Sequence, residues 1–415
     1  LDGVSAADLA KAWQGKSGGA LGSANILVDD DTELVMNAWL GPASPRRVRV
    51  VQTDALLDAA WEAAEAGSPS AVFAIFPFEA ISPRWKVLRI DGQSPLENTF
   101  QAEEYPLAVR IKLAAEAGAL DGRADAISLP TNRDPQKLTV LALTGVTALS
   151  RHIGEVMEAK GVTYPARDIG ALLAQADLTH ISNEVSFYAD CPKPGPDRAD
   201  MRFCSHPRYI ELLETVGAAI IELTGNHNLD WGIAPYLYTL DLYAERGWQT
   251  YGGGRDTTEA RRALLVEHNG NRLAFIGCSP AGPEKVWATA DKPGSAPCDF
   301  PKMEAQIREL RDQGYLPVVT LQAVETDVYL PPPAQGAPVF RELAAAGAVI
   351  VSGSQAHVPQ TMTFVGESFV HYGLGNLFFD QMKPIETRQG FVDFHVFYAG
   401  RYLGVDLVTT LLEES

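Results

Sequence analysis

From residue 138 onward, short apolar runs alternate with segments of helical periodicity, and this alternation restricts the fold more than any other feature. The predicted strands are Leu138–Leu143, Leu178–Ile181, Ala218–Ile221, Arg272–Gly277, Val318–Leu321 and Ala348–Ser352. The predicted helices between them are Asp168–Gln175, Pro207–Thr215, Tyr236–Arg246, Met303–Asp312 and Val339–Ala346. Strands that alternate with helices form a buried, substantially parallel sheet covered by helices. We therefore predict an α/β domain.

A smaller unit precedes this domain. Its predicted elements are the strands Asn25–Val28 and Ala71–Phe76 and the helix Asp54–Ala66. The 415 residues exceed what one core usually organises, and the polar segment Leu129–Gln136, with two prolines and a charged turn, is typical of a boundary. We predict a small α/β domain over residues 1–132 and a larger domain over residues 133–415.

The net charge of −18 opposes binding to nucleic acid and to anionic lipid. It also opposes a polyanionic substrate, unless a cation or a local basic patch offsets the field of the protein. No run of 18 or more apolar residues exists, so we predict no transmembrane segment. Because the chain begins Leu1-Asp-Gly-Val without an initiator methionine, we expect a processed amino terminus.

The cysteines form two close pairs along the chain, Cys191 with Cys204 and Cys278 with Cys298. Each pair is flanked by Pro, Gly, Ser and Asp, which are typical of loops, and the Cys-x-x-Cys spacing of a zinc ribbon is missing. Two local disulfides fit this context, and four unrelated buried thiols are the alternative. Disulfides imply an exported protein, extracellular or associated with the cell envelope.

A polar segment, Leu223-Thr-Gly-Asn-His-Asn-Leu-Asp-Trp-Gly232, follows the predicted strand that ends at Ile221. Asn226, His227 and Asp230 therefore lie where the chain leaves the sheet, a position that favours ligand chemistry. An amide oxygen and an imidazole nitrogen can bind a divalent cation. The alternative is a turn stabilised by its Asn and Asp side chains.

Other predicted strands also end in polar residues. These exits are Gly145–Thr147, Asn183–Glu184, Asn226–His227, Gln322 with Glu325, and Ser354–His357. In open α/β sheets the ligand site lies beyond the carboxyl ends of the strands, so we expect these side chains to converge.

The order and spacing of these segments resemble the bacterial CapA family of capsule and poly-γ-glutamate biosynthesis proteins. The resemblance is carried by residues Ala176–Glu184, Gly225–Gly232, Tyr251–Asp256, Val318–Glu325, Val351–His357 and His371–Asp380. It implies a sheet sandwich flanked by helices, similar to calcineurin-like metallophosphoesterases, with metal ligands beyond the strands. It also implies a role in the metabolism of a cell-envelope polymer.

The family motifs are only partly retained. The Glu motif is matched by Glu184, and the Asn-His-x-x-Asp motif by Asn226, His227 and Asp230. This chain differs from the family at three motifs. Where the family has Gly-Asp, this chain has Gly145-Val146, and where the family has His-x-Gly-x-Glu, it has Gln322-Ala-Val-Glu325. The family's Gly-His-His-Pro-His segment appears as Gly353-Ser-Gln-Ala-His357. Valine cannot bind a metal, and glutamine is a weaker ligand than histidine. The resemblance therefore implies one divalent cation, held by Glu184, Asn226, His227 and His357, or none; a two-cation centre is the third alternative.

The resemblance also implies roles for individual residues. The candidate catalytic residues are Glu184, His227, Asp230, Glu325 and His357. The candidate substrate-binding residues are Asn226, Arg255, Gln322, Gln355 and Asn376. We predict a hydrolase with a reduced or absent metal centre that acts on an envelope polymer or a small anionic substrate. The alternative is a non-catalytic protein that binds a glycan or peptide polymer in the same pocket.

Two further segments carry weaker signals. Residues Phe76–Pro95 resemble the closing part of a periplasmic solute-binding lobe, which gives one interpretation of the first domain. The glycines before Arg255 lack the Gly-Lys-Ser/Thr ending of a phosphate-binding loop, so they predict a turn. His180 lies inside a predicted strand and is predicted to be structural.

Overall fold

The computed structural model describes residues 1–66, 71–110, 131–195, 201–323, 328–330 and 336–413. The chain divides into two compact units, Leu1–Gln136 and Lys137–Ser415. Glu325, one of the candidate catalytic residues, lies outside the described residues.

The first unit has a parallel sheet in which β2 pairs with β3 on one side and β4 on the other. Its strands are β1 (Gly3–Val4), β2 (Asn25–Val28), β3 (Val48–Val50), β4 (Val72–Ile75) and β5 (Arg89–Ile90). Its helices are α1 (Ala6–Trp13), α2 (Asp30–Leu40) and α3 (Leu56–Glu65). Trp13 is fully buried, and its indole nitrogen donates to the carbonyl of Gly41 at 2.8 Å.

The second unit contains the remaining elements. Its strands are β6 (Leu138–Thr144), β7 (Val146–Thr147), β8 (Leu178–Asn183), β9 (Ala218–Glu222), β10 (Gln249–Tyr251), β11 (Gly253–Gly254), β12 (Leu264–His268), β13 (Asn271–Cys278), β14 (Gly294–Ser295), β15 (Leu316–Leu321), β16 (Ile350–Gly353), β17 (Met362–Val365), β18 (Ser368–His371), β19 (Asn376–Phe378), β20 (Gln389–Tyr398) and β21 (Arg401–Leu411). Its helices are α4 (Arg151–Lys160), α5 (Gly170–Leu173), α6 (Ile210–Thr215), α7 (Ile233–Ala244), α8 (Thr257–Arg261), α9 (Phe300–Asp312) and α10 (Ala337–Ala345).

Two mixed sheets organise the second unit. The first has the order β10-β9-β8-β6-β20-β21, with β7 joining β8 to β19. The second has the order β12-β13-β15-β16-β18-β17. Within each sheet of the second unit, the strands predicted from sequence are parallel to one another. Strands β12, β17, β20 and β21 add antiparallel pairs.

The two sheets share one buried core, which confirms the predicted α/β sandwich. Leu141 and Phe397 of the first sheet belong to the same apolar cluster as Phe275 and Val318 of the second. Helices α9 and α10 cover the other face of the second sheet, where the core includes Ile307, Leu343 and Val351. Both faces of the second sheet are therefore buried, as the continuous apolar character of its strands requires.

Both predicted disulfides are present. Cys191 is bonded to Cys204, and Cys278, the last residue of β13, is bonded to Cys298 just before α9. In the part of the chain that the structure covers, no helix combines the length and the apolar character needed to cross a membrane.

Candidate functional site

The candidate residues lie at the carboxyl ends of neighbouring strands. Glu184 directly follows β8, and Asn226, His227 and Asp230 lie in the loop between β9 and α7. Gln322 follows β15, and Gln355 and His357 follow β16. Because these strands are parallel to their neighbours within each sheet, their ends lie on the same side of the sandwich.

A close backbone approach joins the loops that follow β8 and β9. A Cβ atom added to Gly225 would lie 2.3 Å from the Cα atom of Glu184, so only glycine allows this approach. Val185 and His227 then form a parallel bridge between the two loops. The glycine before Asn226 thus places His227 beside Glu184.

Replacement of Gly225 by alanine is expected to force the two loops apart and to lower the free energy of unfolding by about 1–3 kcal/mol, because the Cβ atom meets backbone. Chemical unfolding of the full chain measures the loss. Gly170→Ala is the matched control, because its Cβ would lie 3.6 Å from that of Ala166, an ordinary contact. Equal stability of both variants would contradict the close approach of the two loops.

His227 is oriented by Asp230. The imidazole Nδ1 donates to Oδ2 of Asp230 at 2.7 Å, and the backbone N–H of Phe203 donates to the same oxygen at 2.9 Å. The ring of Phe203 packs edge-on against the imidazole at 4.6 Å. This arrangement fixes the tautomer and leaves Nε2 of His227 without a hydrogen-bond partner among the residues that the structure describes.

Opposing effects determine the pKa of His227. Burial lowers it, because the charged imidazolium loses solvation. The hydrogen bond to Asp230 and the negative charges of Glu184 and Asp230 outweigh burial, so the pKa lies above 6.5. His227 is therefore able to hold a proton that a reaction can use.

Gln322 connects Glu184 to Gln355. The Nε2 atom of Gln322 donates to Oε2 of Glu184 at 3.3 Å and also to Oε1 of Gln355. All three side chains are buried. Gln322 and Gln355 thus form a neutral hydrogen-bonded chain that ends on the candidate carboxylate.

A second buried carboxylate, Glu222, lies behind this chain. Its Oε1 atom accepts hydrogen bonds from Thr224 and from Ser354, the latter at 2.7 Å, and its Oε2 atom lies 3.4 Å from Nε2 of His180. Both hydroxyls also contact Oε1 of Gln322, at 3.4 Å from Thr224 and 3.3 Å from Ser354. Glu222 and His180 therefore support the site from the core.

The sequence did not identify Glu222 as a site residue. It predicted that His180 is structural, but it did not identify the partner of this histidine. One sequence feature could have indicated Glu222: it is a glutamate at the end of the otherwise apolar strand β9. A charge in such a position needs a buried partner. Burial alone would raise the pKa of Glu222, but hydrogen bonds and the charge of His180 hold it below 4.5.

Val146, where the resemblance leads one to expect an Asp, lies in the apolar floor of the site. The cluster that forms this floor is Val146, Ala148, Val185, Phe203 and Phe379. A carboxylate in this apolar cluster would need a cation or a hydrogen-bond donor, and valine needs neither. Valine at position 146 is therefore consistent with its apolar surroundings.

His357 stands at the other side of the apolar floor. Its ring stacks on Phe379 at 4.8 Å, and Phe379 contacts Phe203, which packs on His227. The Nδ1 atom of His357 contacts Oδ1 of Asn376 at 2.7 Å, which pairs these two predicted site residues. Two phenylalanine rings thus link His357 to His227.

Arg255 is the predicted site residue that these contacts do not include. Its guanidinium is about half exposed and pairs with Asp241, which is exposed on α7. Arg255 therefore has an ion-pair partner on the surface, and its role in binding a substrate stays a prediction.

The donor set limits what cation the site could hold. Within the described ranges, no three His, Cys, Asp or Glu side chains form a group able to hold a metal ion. The Oδ1 atom of Asn226 is buried and has no hydrogen-bond partner among these residues, so it is available as a ligand. Among the described residues, Glu184, Asn226 and His227 are the ones that could together hold one divalent cation.

Sequence comparison identifies relatives of this chain. The family described as bacterial capsule synthesis protein PGA_cap matches residues 140–381. A capsule biosynthesis protein CapA from Bacillus anthracis is 24% identical over 299 residues, which cover 71% of this chain and 72% of that protein. A PGA biosynthesis protein CapA from Bacillus subtilis is 20% identical over 66% of this chain and 72% of its own length. Among solved structures, a 5′-nucleotidase precursor from Thermus thermophilus aligns with a TM-score of 0.41 at 14% identity, over 66% of this chain and 54% of that one.

Proposed function

We propose that this chain, which belongs to the bacterial capsule synthesis protein family PGA_cap, is an exported hydrolase that acts on a polymer of the cell envelope. The observation that carries the proposal is the His227–Asp230 pair beside the buried carboxylate of Glu184. A group that accepts a proton and a group that donates one are what hydrolysis of an ester or amide requires. The two disulfides support export, because such bonds persist in oxidising compartments.

The roles follow from the protonation of each side chain. Glu184 accepts a proton from water as the water oxygen bonds to the carbonyl carbon or phosphorus of the substrate. His227 gives its proton to the leaving nitrogen or oxygen as the scissile bond breaks, and Asp230 keeps the imidazole oriented. His357 stabilises the negative charge that develops on the reacting group.

One divalent cation is the alternative to the proton-donor role of His227, because Nδ1 is bonded to Asp230 and Nε2 cannot both bind a metal and donate a proton. Glu184, Asn226 and His227 would hold it, and when bound it would polarise the reacting group of the substrate. A histidine that binds a metal must be neutral. The raised pKa of His227 therefore opposes cation binding in acidic solution.

Metal analysis of the purified full chain tests this part of the proposal. After incubation with Mn²⁺ or Zn²⁺ at alkaline pH and removal of free metal, we expect no more than one ion per chain. Any bound ion is expected to be lost from His227→Ala and Glu184→Gln. His268→Ala is the control, because His268 lies at the opposite end of the sheet, in the β12–β13 hairpin. Two ions per chain would contradict a reduced centre.

The second candidate function is a non-catalytic protein that binds a glycan or peptide polymer in the same pocket. It is favoured by the Gln322–Gln355 chain, in which neutral amides contact Glu184 where the family has histidines. A metal-free protein that hydrolyses neither phosphoesters nor amide bonds would support this candidate against the hydrolase.

A further inference from the structure

A cavity of about 270 Å³ opens next to the site, between the start of α4, the Cys191–Cys204 loop and the segment that precedes α6. Its charged lining residues are Arg151, Lys193, Arg202, Arg208 and Glu158, together with His206. Four permanent cations thus face one carboxylate on a protein whose net charge is −18. We call this the basic cavity. Such a local reversal of sign concentrates anions despite the overall charge.

Three of the four cations keep donors for a ligand. Arg208 is paired with Glu158, which neutralises both charges. Lys193 has no ion pair or hydrogen bond to any residue that the structure describes. The guanidinium of Arg151 lies over the rings of Phe203 and Phe379, at 5.8 and 5.6 Å, and its N–H groups have no hydrogen-bond partner among the described residues. Arg202 donates from Nε to the carbonyl of Asp230 at 3.0 Å and stacks over Trp231 at 4.4 Å; its terminal N–H groups have no hydrogen-bond partner among these residues.

Residues at the start of α4 line the basic cavity. Ser150 lines it and is only 6% exposed, yet its Oγ atom has no hydrogen-bond partner among the described residues. Arg151 has a φ of 50°, a left-handed conformation that costs energy for a residue with a side chain. The carboxylate of Asp380 stabilises this turn by accepting hydrogen bonds from the backbone N–H groups of His152 and Ile153. A strained arginine and an unpaired buried hydroxyl together indicate a ligand.

The basic cavity lies next to the candidate catalytic residues, although none of them lines it. Arg202 and Phe203 line it, and both donate hydrogen bonds to Asp230, which orients His227. The ring of Phe203 separates the cavity from the His227 imidazole by a single side chain. A group bound in the basic cavity would therefore lie one side chain away from His227.

We propose that the basic cavity binds an oxyanion, a carboxylate or a phosphate, carried by the polymer whose neighbouring linkage lies at His227. Arginine and lysine bind both oxyanions, and the Ser150 hydroxyl adds a neutral donor. The position of the linkage rests on the proposed hydrolase function, whereas binding of the anion does not. This site also accounts for how an acidic protein accepts an acidic substrate.

A binding measurement on the full chain tests the inference, with a fluorescent oligomer of glutamate as the carboxylate probe and inorganic phosphate as its competitor. We expect the oligomer to bind at low ionic strength and to weaken near 0.1 M salt, where the Debye length is about 10 Å. Lys193→Glu and Arg151→Gln are each expected to weaken binding about tenfold or more. Lys302→Glu is the matched control, because Lys302 is 74% exposed on α9 and does not line the cavity.

Unchanged affinity in Lys193→Glu and Arg151→Gln would overturn the inference, as would equal binding of a glutamine oligomer of the same length. Direct binding of phosphate, measured by calorimetry and weakened in both variants, without binding of the glutamate oligomer would support the site and assign it to a phosphate group. Lys193 has no ion pair or hydrogen bond among the described residues, and chemical unfolding of Lys193→Glu shows whether any loss of binding is separate from stability. Binding without hydrolysis would support the basic cavity and contradict the hydrolase, whereas hydrolysis with unchanged binding in the variants would overturn the cavity alone.

Discussion

Replacement of His227 by alanine is expected to lower kcat/KM by about 10²- to 10⁴-fold, the range that a positioned acid or base contributes. The variant loses the proton donor that Asp230 orients and the charge beside Glu184. Hydrolysis of p-nitrophenyl phosphate and of an amide-linked glutamate oligomer by the full chain provides the measurement. If His227 donates the proton, the rate of the parent also falls as the pH rises above the raised pKa of this residue.

Two variants make the result specific. Asp230→Asn keeps the imidazole but removes the charge that orients it, so we expect a smaller loss than in His227→Ala. His268→Ala changes a histidine at the opposite end of the sheet and is expected to retain activity. Full activity in His227→Ala would remove the catalytic assignment and leave the polymer-binding candidate.

The second large effect concerns stability. Replacement of Glu222 by alanine is expected to lower the free energy of unfolding by about 3–5 kcal/mol, because it leaves buried polar partners without their carboxylate. His180, Thr224 and Ser354 would each lose a contact inside the core. Glu222→Gln keeps the shape and one acceptor oxygen, so its loss is expected to be smaller.

The stabilising contribution of Glu222 is expected to depend on pH. The pKa of Glu222 is lower in the folded chain than its ordinary value, so its stabilising contribution is complete above the ordinary glutamate pKa. The contribution is lost as the pH falls through the folded-state pKa. The stability difference between the parent and Glu222→Ala should therefore be larger at neutral pH than in acid.

Chemical unfolding of the full chain at both pH values measures this difference. Glu211→Gln is the matched control, since Glu211 is an exposed residue on α6 whose carboxylate makes no contact with the described residues. A difference of the same size at neutral and acidic pH would show that the charge of Glu222 does not stabilise the fold.

The strands at the centre of both sheets were predictable, but many other elements were not, among them the antiparallel hairpin of β20 and β21. In β20 both faces are buried, so the strand lacks the alternation of apolar and polar residues that marks a half-exposed strand. Asp393 and His395 further obscure its apolar character. Asp393 is tolerated there because it pairs with His371 at 2.6 Å, a partner that lies on another strand.

The sequence predicted which residues follow the strands at the candidate site. It did not predict which of their side chains contact one another. Asn226 and His227 were recognisable because polar residues follow an apolar strand within a few positions. The hydrogen bonds from Gln322 to Glu184 and Gln355 join loops of both sheets, and strand order is not written in local periodicity. The roles of Glu325 and Arg255 stay predictions.

Local pattern by itself determined the α/β class, the strands at the centre of both sheets and the two disulfides, because each depends on residues close together along the chain. Only the tertiary structure decided which polar groups meet: Glu222 with His180, Val146 with the apolar floor, and four cations around the basic cavity. These contacts join residues far apart in sequence, and their energies depend on burial, which exists only once both sheets have packed.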